Sequence, residues 1–477
     1  MTGVAALGAY VDRVWADDII AALSDYITIP NVSVAFDPDW KAHGYMDRAV
    51  ELVTGWCAAR DVAGMAVTVN ELPGLTPMIV IEVPASGGAS DDDTVLLYGH
   101  IDKQPEMTGW RDGLGPWTPV VEHERLYGRG GADDGYAAFA SLLAIEAAQA
   151  CGLPHSRCVI LIEASEESGS CDLPAHLESL AERLGTPSLV LCLDSGCLDD
   201  QRLWVTTSLR GMVAGELHVE ILREGVHSGD ASGVVPSSFR IVRQLLERIE
   251  DSTTGAVLLP ELCVEIPPDR VAEAADTARE FSIGDHFPFV DGARPAAESA
   301  TEQLLARTWR PTLCVTGAGG IPPIEIAGNV LRPYSSLQLS VRLPPTCDHE
   351  RALEALRAAV TDDPPYGARV QLRTMKSAPG WNAPAFEPWL LEALDEASNH
   401  EFGRPARACG EGGTIPFMGM LGEQFPDAQF VITGVLVPGS NAHGPNEFLD
   451  LQTARRLTRV LARVLAAHAS RGDASVP

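Results

Sequence analysis

The sequence predicts an α/β protein: a mostly parallel sheet with helices on both faces, interrupted by an inserted α+β domain. Three observations carry this. Apolar runs of strand length end in polar, acid-rich tips at TVLLYGHID, RCVILIEASEE and PSLVLCLDSG. Helical stretches, GYAAFASLLAIEAAQACG and CDLPAHLESLAERLG, separate them. Strands alternating with helices build parallel sheets whose chemistry gathers at the carboxyl ends of the strands. Near Gly211 the texture changes, and GMVAGELHVEILRE alternates at period two, as a half-exposed strand does.

Taken in order, VDRVWADDIIAALSDYITIPNVS is helical until Pro30 breaks it, and YMDRAVELVTGWCAARD is a second amphipathic helix. PMIVIEVP is a strand, and Gly87, Gly88 and the acids at 91–93 form a turn before TVLLYGHID. Beyond Gly211, SSFRIVRQLLERIED is a helix, followed by an irregular Pro- and Ala-containing stretch. SSLQLSVRLPP (strand), HERALEALRAAVTD (helix) and ARVQLRT (strand) complete the insertion. The α/β pattern resumes with a helix at EPWLLEALDEASNHEFG and a strand at QFVITGVLVPG, and it ends in a helix with a basic face, LDLQTARRLTRVLARVLAAHASRG. The expected division is a catalytic domain in two parts, 1–210 and 381–477, around an insertion at 211–380.

Composition bounds the function. Hydrophobic residues make up 45% and charged residues 21%, the balance of a globular enzyme rather than a disordered chain. Lys and Arg total 35 against 65 Asp and Glu, a formal charge of −30. Such a surface repels phosphate backbones, so neither nucleic acid nor an anionic membrane is expected as a partner. The 10 cysteines are scattered without a CxxC pair, many of them in apolar runs, which points to buried reduced thiols. The N-terminus has an early Asp and no basic region, and no apolar run approaches membrane-spanning length. The expected location is the cytoplasm.

The strand tips hold His100 and Asp102, then Asp133 and Asp134, then Glu166 and Glu167, then Asp194; after the insertion a further tip carries His443. Each has an ordinary structural reading. Asp194 could cap a helix, the glutamate pair could face solvent, and His443 could bond a turn in PGSNAHGPNE. Jointly these readings need a separate accident at every tip. So many acids on one sheet edge repel one another unless cations neutralise them. Two His with several carboxylates and no thiolate are a ligand set for Zn²⁺ or Mn²⁺. GRGGADDG superficially resembles a dinucleotide-binding loop, but Asp133 and Asp134 stand where phosphate oxygens would approach. Its glycines are better read as letting the backbone turn tightly so that a carboxylate points inward.

LLYGHIDKQP, LYGRGGADDG, EASEESGS, LDSG and NAHGPNE together resemble the metal-site motifs of the M20 metallopeptidases, and within that clan the carnosinase-like cytosolic dipeptidases. The resemblance covers nearly the whole chain, since LRGMV, GVHSGDASGVVP, RPTLCVTG, LSVRLPP and EGGTIP also have counterparts there. It implies two divalent metal ions per subunit, with Asp133 bridging, His100 and Asp194 on one ion, and Glu167 and His443 on the other. Asp102 would accept the free N–H of His100 and orient it. Glu166 would be the general base, taking a proton from a metal-bridging water and returning it to the leaving amine. The insertion would be the lid or dimerisation domain around the catalytic domain, and in it His227 would reach the active site of a partner subunit and stabilise the oxyanion, which would make a homodimer necessary. Arg342 would grip the substrate carboxylate, Thr414 would contact the same group, and Asn329 would help bind oxyanion or substrate. The implied activity is hydrolysis of dipeptides or short peptides with a free C-terminal carboxylate. The alternatives are a deacylase of the same clan acting on N-acyl amino acids and, more remotely, a non-catalytic metal-binding subunit. One departure stands out. Family members often read Asp-x-Lys-Gly after the glycines, whereas here Gly135-Tyr136 follows the two aspartates, which bears on packing near the site and on substrate choice.

Overall fold

The apolar runs become strands, joined by two that the pattern did not mark, at 66–70 and 312–319. In chain order these are β1 (Ala66–Asn70), β2 (Met78–Val83), β3 (Thr94–His100), β4 (Arg157–Glu163), β5 (Pro187–Cys192), β6 (Gly211–Glu220), β7 (Thr312–Gly319), β8 (Tyr334–Leu343), β9 (Arg369–Ala378) and β10 (Gln429–Ile432). The principal helices are α1 (Val4–Val14), α2 (Ile20–Ile27), α3 (Tyr45–Ala58), α4 (Tyr136–Cys151), α5 (Ser238–Leu246), α6 (Pro268–Ala278), α7 (Ala300–Thr308), α8 (His349–Thr361), α9 (Pro388–Phe402) and α10 (Leu451–Ser470). The computed structural model describes residues 4–413 and 416–471. Among them the chain forms two units. One spans Met1–Thr206, Ala383–Ala408 and Met420–Pro477, and the other Thr207–Asn382 and Cys409–Gly419.

The first unit is built on a sheet with the order β1-β2-β4-β3-β5-β10. Its centre is parallel, at the β4–β3, β3–β5 and β5–β10 pairings. The margin is antiparallel: β1 pairs β2, and β2 pairs β4. The reason is connection length. A short turn joins β1 to β2, whereas a parallel neighbour needs a crossover of a dozen or more residues, which α4 provides between β3 and β4. β3 is buried along its whole length, as a strand covered on both faces must be. Every residue of α4 from Tyr136 to Ala148 is buried, which accounts for its apolar character all round. α10 packs on α4 and α9, and α1 packs on α4. The expected first helix is continuous through residue 27 in α1, a wider turn at Trp15–Ile19, and α2, ending three residues before the restrictive Pro30.

Polar groups fix these helices. Asp450 caps α10 by accepting the Thr453 N–H at 2.8 Å. Glu146, buried in α4, accepts from Arg60 at 2.7 and 2.8 Å and from the Tyr10 hydroxyl at 2.6 Å. The basic face of α10 is paired: Arg459 meets Asp12 and Glu401, Arg463 meets Glu401, and Arg455 meets Glu124.

The second unit is a four-stranded antiparallel sheet, β7-β8-β6-β9, with α5 and α8 supplying Ile241, Val242, Leu245, Leu356 and Val360 to a core shared with Val213, Leu217 and Val341. β6 is buried at every second residue, matching its period-two pattern. The stretch expected to be irregular contains α6, α7 and the edge strand β7. Pro268 occupies the first turn of α6, where its missing N–H costs nothing, so this proline starts a helix rather than marking a break. β7 is half-exposed and lacks the apolar alternation that reveals a strand. No helix among the described residues is long and apolar enough to cross a membrane.

At the end of β4, Glu163 is buried and receives hydrogen bonds from the hydroxyls of Tyr98, Ser165 and Ser170. Burial pushes its carboxyl up to about 7. A carboxyl raised in the folded state binds its proton more tightly there than in the unfolded chain. Its contribution is therefore full below the ordinary glutamate value and is lost as pH rises through 7, a difference of roughly 3 kcal/mol. Glu163→Gln should match the native protein in urea midpoint near pH 4.5 and exceed it at pH 8; an equal difference at both pH values would disprove the assignment.

Candidate metal centre

The centre is assembled from the carboxyl ends of adjacent strands. His100 is the last residue of β3 and Asp194 follows β5. Asp133 lies in the turn that leads from the glycine-rich loop into α4, and Glu166 and Glu167 open a short 3₁₀ turn after β4. The parallel pairing of β4, β3 and β5 brings these tips to one edge.

Asp133 is the hub. One of its oxygens, Oδ1, lies 3.3 Å from Nε2 of His100, and the other, Oδ2, lies 3.0 Å from Nε2 of His443. Asp194 Oδ2 is 3.9 Å from His100 Nε2, and Glu167 Oε2 is 3.4 Å from His443 Nε2. Two potential ligand groups result: His100 with Asp133 and Asp194, and Asp133 with Glu167 and His443. All five residues expected as ligands thus converge, and Asp133 belongs to both groups. Nε2 of His100 and Oε1 of Glu167 are buried yet make no hydrogen bond, so lone pairs point into the cluster without a proton to receive them. This is how a set of metal-binding atoms looks, and the donor types suit Zn²⁺ or Mn²⁺.

The electrostatics agree. Burial and then the charge of Asp194 push the carboxyls of Glu166 and Asp134 well above the usual range. For Glu167 the causes are burial and then Asp133. Burial opposes ionisation of Asp133 too, but the adjacent imidazoles of His100 and His443 outweigh it and hold this carboxyl well below the usual value. The cluster carries more negative charge than its two imidazoles can offset.

Asp102 is buried beside His100, with a division of labour that differs from expectation. The nearest acceptor of His100 Nδ1 is the backbone carbonyl of Asp102, at 3.0 Å, with the carboxylate oxygen at 3.3 Å. The carboxylate instead accepts the backbone N–H groups of Glu166, at 3.1 Å, and Glu167, at 3.0 Å. Asp102 therefore orients the histidine and the glutamate pair together.

Several contributors were not singled out from sequence. Arg129 makes a buried ion pair with Glu447 at 2.6 Å and donates to the carbonyls of His443 and Gly444 at 3.1 and 2.9 Å. Glu447 also accepts the Gly130 N–H at 2.9 Å, so one pair ties the His443 loop to the loop bearing Asp133. Burial and the charge of Asp133 raise the Glu447 carboxyl to about 7. Gln104 donates to Glu167 Oε2 at 2.6 Å. The signals were present in GRGG, KQP and GPNE, but a lone Arg, Gln or Glu in a loop does not announce its partner.

In the second unit, His227 is exposed, 3.7 Å from Asp230, and pairs across a short ladder with Val330. The Asn329 carbonyl accepts the Ser228 N–H at 2.9 Å, so Asn329 lies beside the His227 segment. Arg342 stands near the opposite end of β8, between Met212 and Thr312 on the neighbouring strands. Burial lowers its pKa. Burial, then the charges of Arg342 and Arg307, bring neighbouring Arg210 to about 10, so cationic groups concentrate there. Thr414 lies outside the described residues.

Comparison with known proteins agrees with this geometry. The cysteinylglycine-S-conjugate dipeptidase of Corynebacterium striatum is 27% identical over 76% of this chain and 78% of its own length. The solved structure of the dipeptidase Dug1p from Saccharomyces cerevisiae superimposes with a TM-score of 0.76 at 20% identity, covering 98% of this chain and 99% of that one. Human carnosine dipeptidase 1 gives a TM-score of 0.74 at 20% identity with the same coverage. Residues 96–467 match the model of peptidase family M20/M25/M40, which contains all five converging side chains. The chain belongs to this family and is a hydrolase acting on peptide bonds.

Proposed function

We propose that this protein hydrolyses the amide bond of dipeptides or short peptides with a free C-terminal carboxylate, at a centre of two divalent cations, Zn²⁺ or Mn²⁺. The observation that carries the reading is Asp133, whose two oxygens face two different histidines in two different ligand groups. His100, Asp133 and Asp194 would hold one ion, and Asp133, Glu167 and His443 the other. Bound there, the ions would neutralise the acid cluster, acidify water and polarise the scissile carbonyl.

The side chains supply the rest. Glu166 has its amide anchored on Asp102, while burial and then the charge of Asp194 push its carboxyl well above the usual range. It would take the proton of the attacking water and deliver it to the leaving amine. Arg342 would pair with the substrate carboxylate through its planar fork, aided by Thr414 and Asn329. The dipeptide class rests on the names of the relatives, which act on Cys-Gly conjugates and carnosine. A cytoplasmic location is part of this reading, supported by ten thiols all free in the structure.

The segment 211–380 would act as lid and dimerisation domain, with His227 stabilising the oxyanion in the partner subunit. Exposed Ile321, Ile324, Ile326 and Val330, next to the edge strand β7, are the surface that a second copy would cover.

Dialysis against a chelator should abolish dipeptide hydrolysis, and Zn²⁺ or Mn²⁺ should restore it, with elemental analysis returning two ions per subunit. Full activity of metal-free protein would refute the proposal. Glu166→Gln should retain both ions while kcat drops by about 10²–10⁴-fold; undiminished turnover excludes Glu166 as the base. Neither Glu166→Gln nor His227→Ala should be active alone, but co-expressed they should regain about a quarter of the native rate, because half the dimers then hold one complete site. No recovery would place His227 in its own subunit's site or outside catalysis.

A further inference from the structure

Position 135 is where the chain departs from the family motif, and the structure leaves no room there for a side chain. A Cβ on Gly135 would lie 2.2 Å from Cε1 of Tyr26 and 2.6 Å from the carbonyl oxygen of Gly130. The Tyr26 ring, at the end of α2, fills that space, and its hydroxyl donates to the Ile101 carbonyl at 2.7 Å. On the face of this ring, 3.8 Å from its centroid, sits Nζ of Lys103.

Lys103 is fully buried. Its Nζ donates to the carbonyls of Tyr26 and Ile29, each at 2.8 Å, at a helix end where carbonyls lack intrahelical partners. Its aliphatic stem passes directly beneath Gly130, where a Cβ would come within 2.6 Å of Cγ and Cε. Gly130, at φ +79°, accepts the Gly135 N–H at 3.0 Å and closes the turn that carries Asp133. The Lys103 backbone is pinned as well: its N–H donates to Asn31, and its carbonyl accepts from Ser33 at 2.9 Å. A buried lysine this close to an acid cluster, yet bonded to none of its carboxylates among the described residues, has its task in the support of the loop.

The geometry points to Lys103 as a positioning residue of the metal centre: with Tyr26 it fixes the height of the Gly130–Gly135 turn, and so of the Asp133 carboxylate, doing from the tip of β3 what no side chain at position 135 can do. This rests on the two-metal reading above. Burial pushes the amine well below its usual pKa, Glu447 acting against that and Arg129 with it. Charged or neutral, the amine keeps at least two N–H donors for its two carbonyls.

Lys103→Met keeps most of the stem and removes the donors. Titration calorimetry of chelator-stripped protein with Zn²⁺ and Mn²⁺, beside steady-state kinetics on a dipeptide, should show metal affinity about 10–100-fold weaker than in the native protein. kcat should fall while KM changes by less than about two-fold, since the substrate contacts are elsewhere. Val53→Ala, in the fully buried core of α3, controls for destabilisation and should lower Tm without altering metal affinity or kcat. If Lys103→Met fails to fold, Tyr26→Leu with Lys103 intact should give the same weakened metal binding. Native affinity and kcat in either folded variant overturn the assignment. A native protein that takes up no metal and cleaves no dipeptide defeats the two-metal reading itself and Lys103's role with it; a metal-loaded, active native protein beside an unaffected variant defeats only the role of Lys103.

Discussion

The governing constraint is electrostatic. Asp133, Asp134, Glu166, Glu167 and Asp194 meet at one buried sheet edge, with the imidazoles of His100 and His443 among them. Like charges at this spacing cannot all be ionised in a protein interior without counter-charge. A fold that tolerates the arrangement must hold it with stiff scaffolding. Here that scaffolding is the fully buried strand β3 and the fully enclosed helix α4, whose apolar contacts bear the cost of the polar edge.

The scaffold reaches the reactive groups through a few polar ties that each hold two things. Asp102 binds His100 through its carbonyl and the glutamate pair through its carboxylate. Arg129 and Glu447 bind the Asp133 loop and the His443 loop to each other. Removing one member of such a tie leaves a buried partner unsatisfied, so these groups are coupled and their effects will not add. It also explains why His443, whose side chain is 54% exposed, still sits 3.0 Å from Asp133: its loop is held through the backbone, not through its ring.

How much of this could be read in the sequence depended on the kind of signal. The strands β2, β3, β4, β5 and β10 were legible because apolar runs are local, whereas the edge strand β1 was not marked, and the five converging residues followed from the tips and the family motifs. The antiparallel margin was not legible, because connection length and not strand composition decides direction there. β7 and α6 were missed because an exposed edge strand lacks alternation and because Pro268 starts a helix that its residue type would seem to forbid. The double use of Asp102 and the Arg129–Glu447 pair were invisible for another reason. Their partners are distant in sequence, and a single charged residue carries no pattern to extend.

The duties proposed for the two adjacent glutamates would need a physical means of keeping them different, and the turn that carries them offers one. The same Asp102 carboxylate grips both amides, so the two backbones are fixed together and only the side chains diverge. Glu167 is 4% exposed, bonded by Gln104 and directed at His443, so its oxygens are committed to the cluster. Glu166 instead feels the charge of Asp194, which together with burial raises its carboxyl. Exchanging the two roles would require the 3₁₀ turn to rotate, and the two hydrogen bonds to Asp102 oppose that. The backbone of the pair is therefore anchored by a residue 64 positions upstream of Glu166, not by either glutamate.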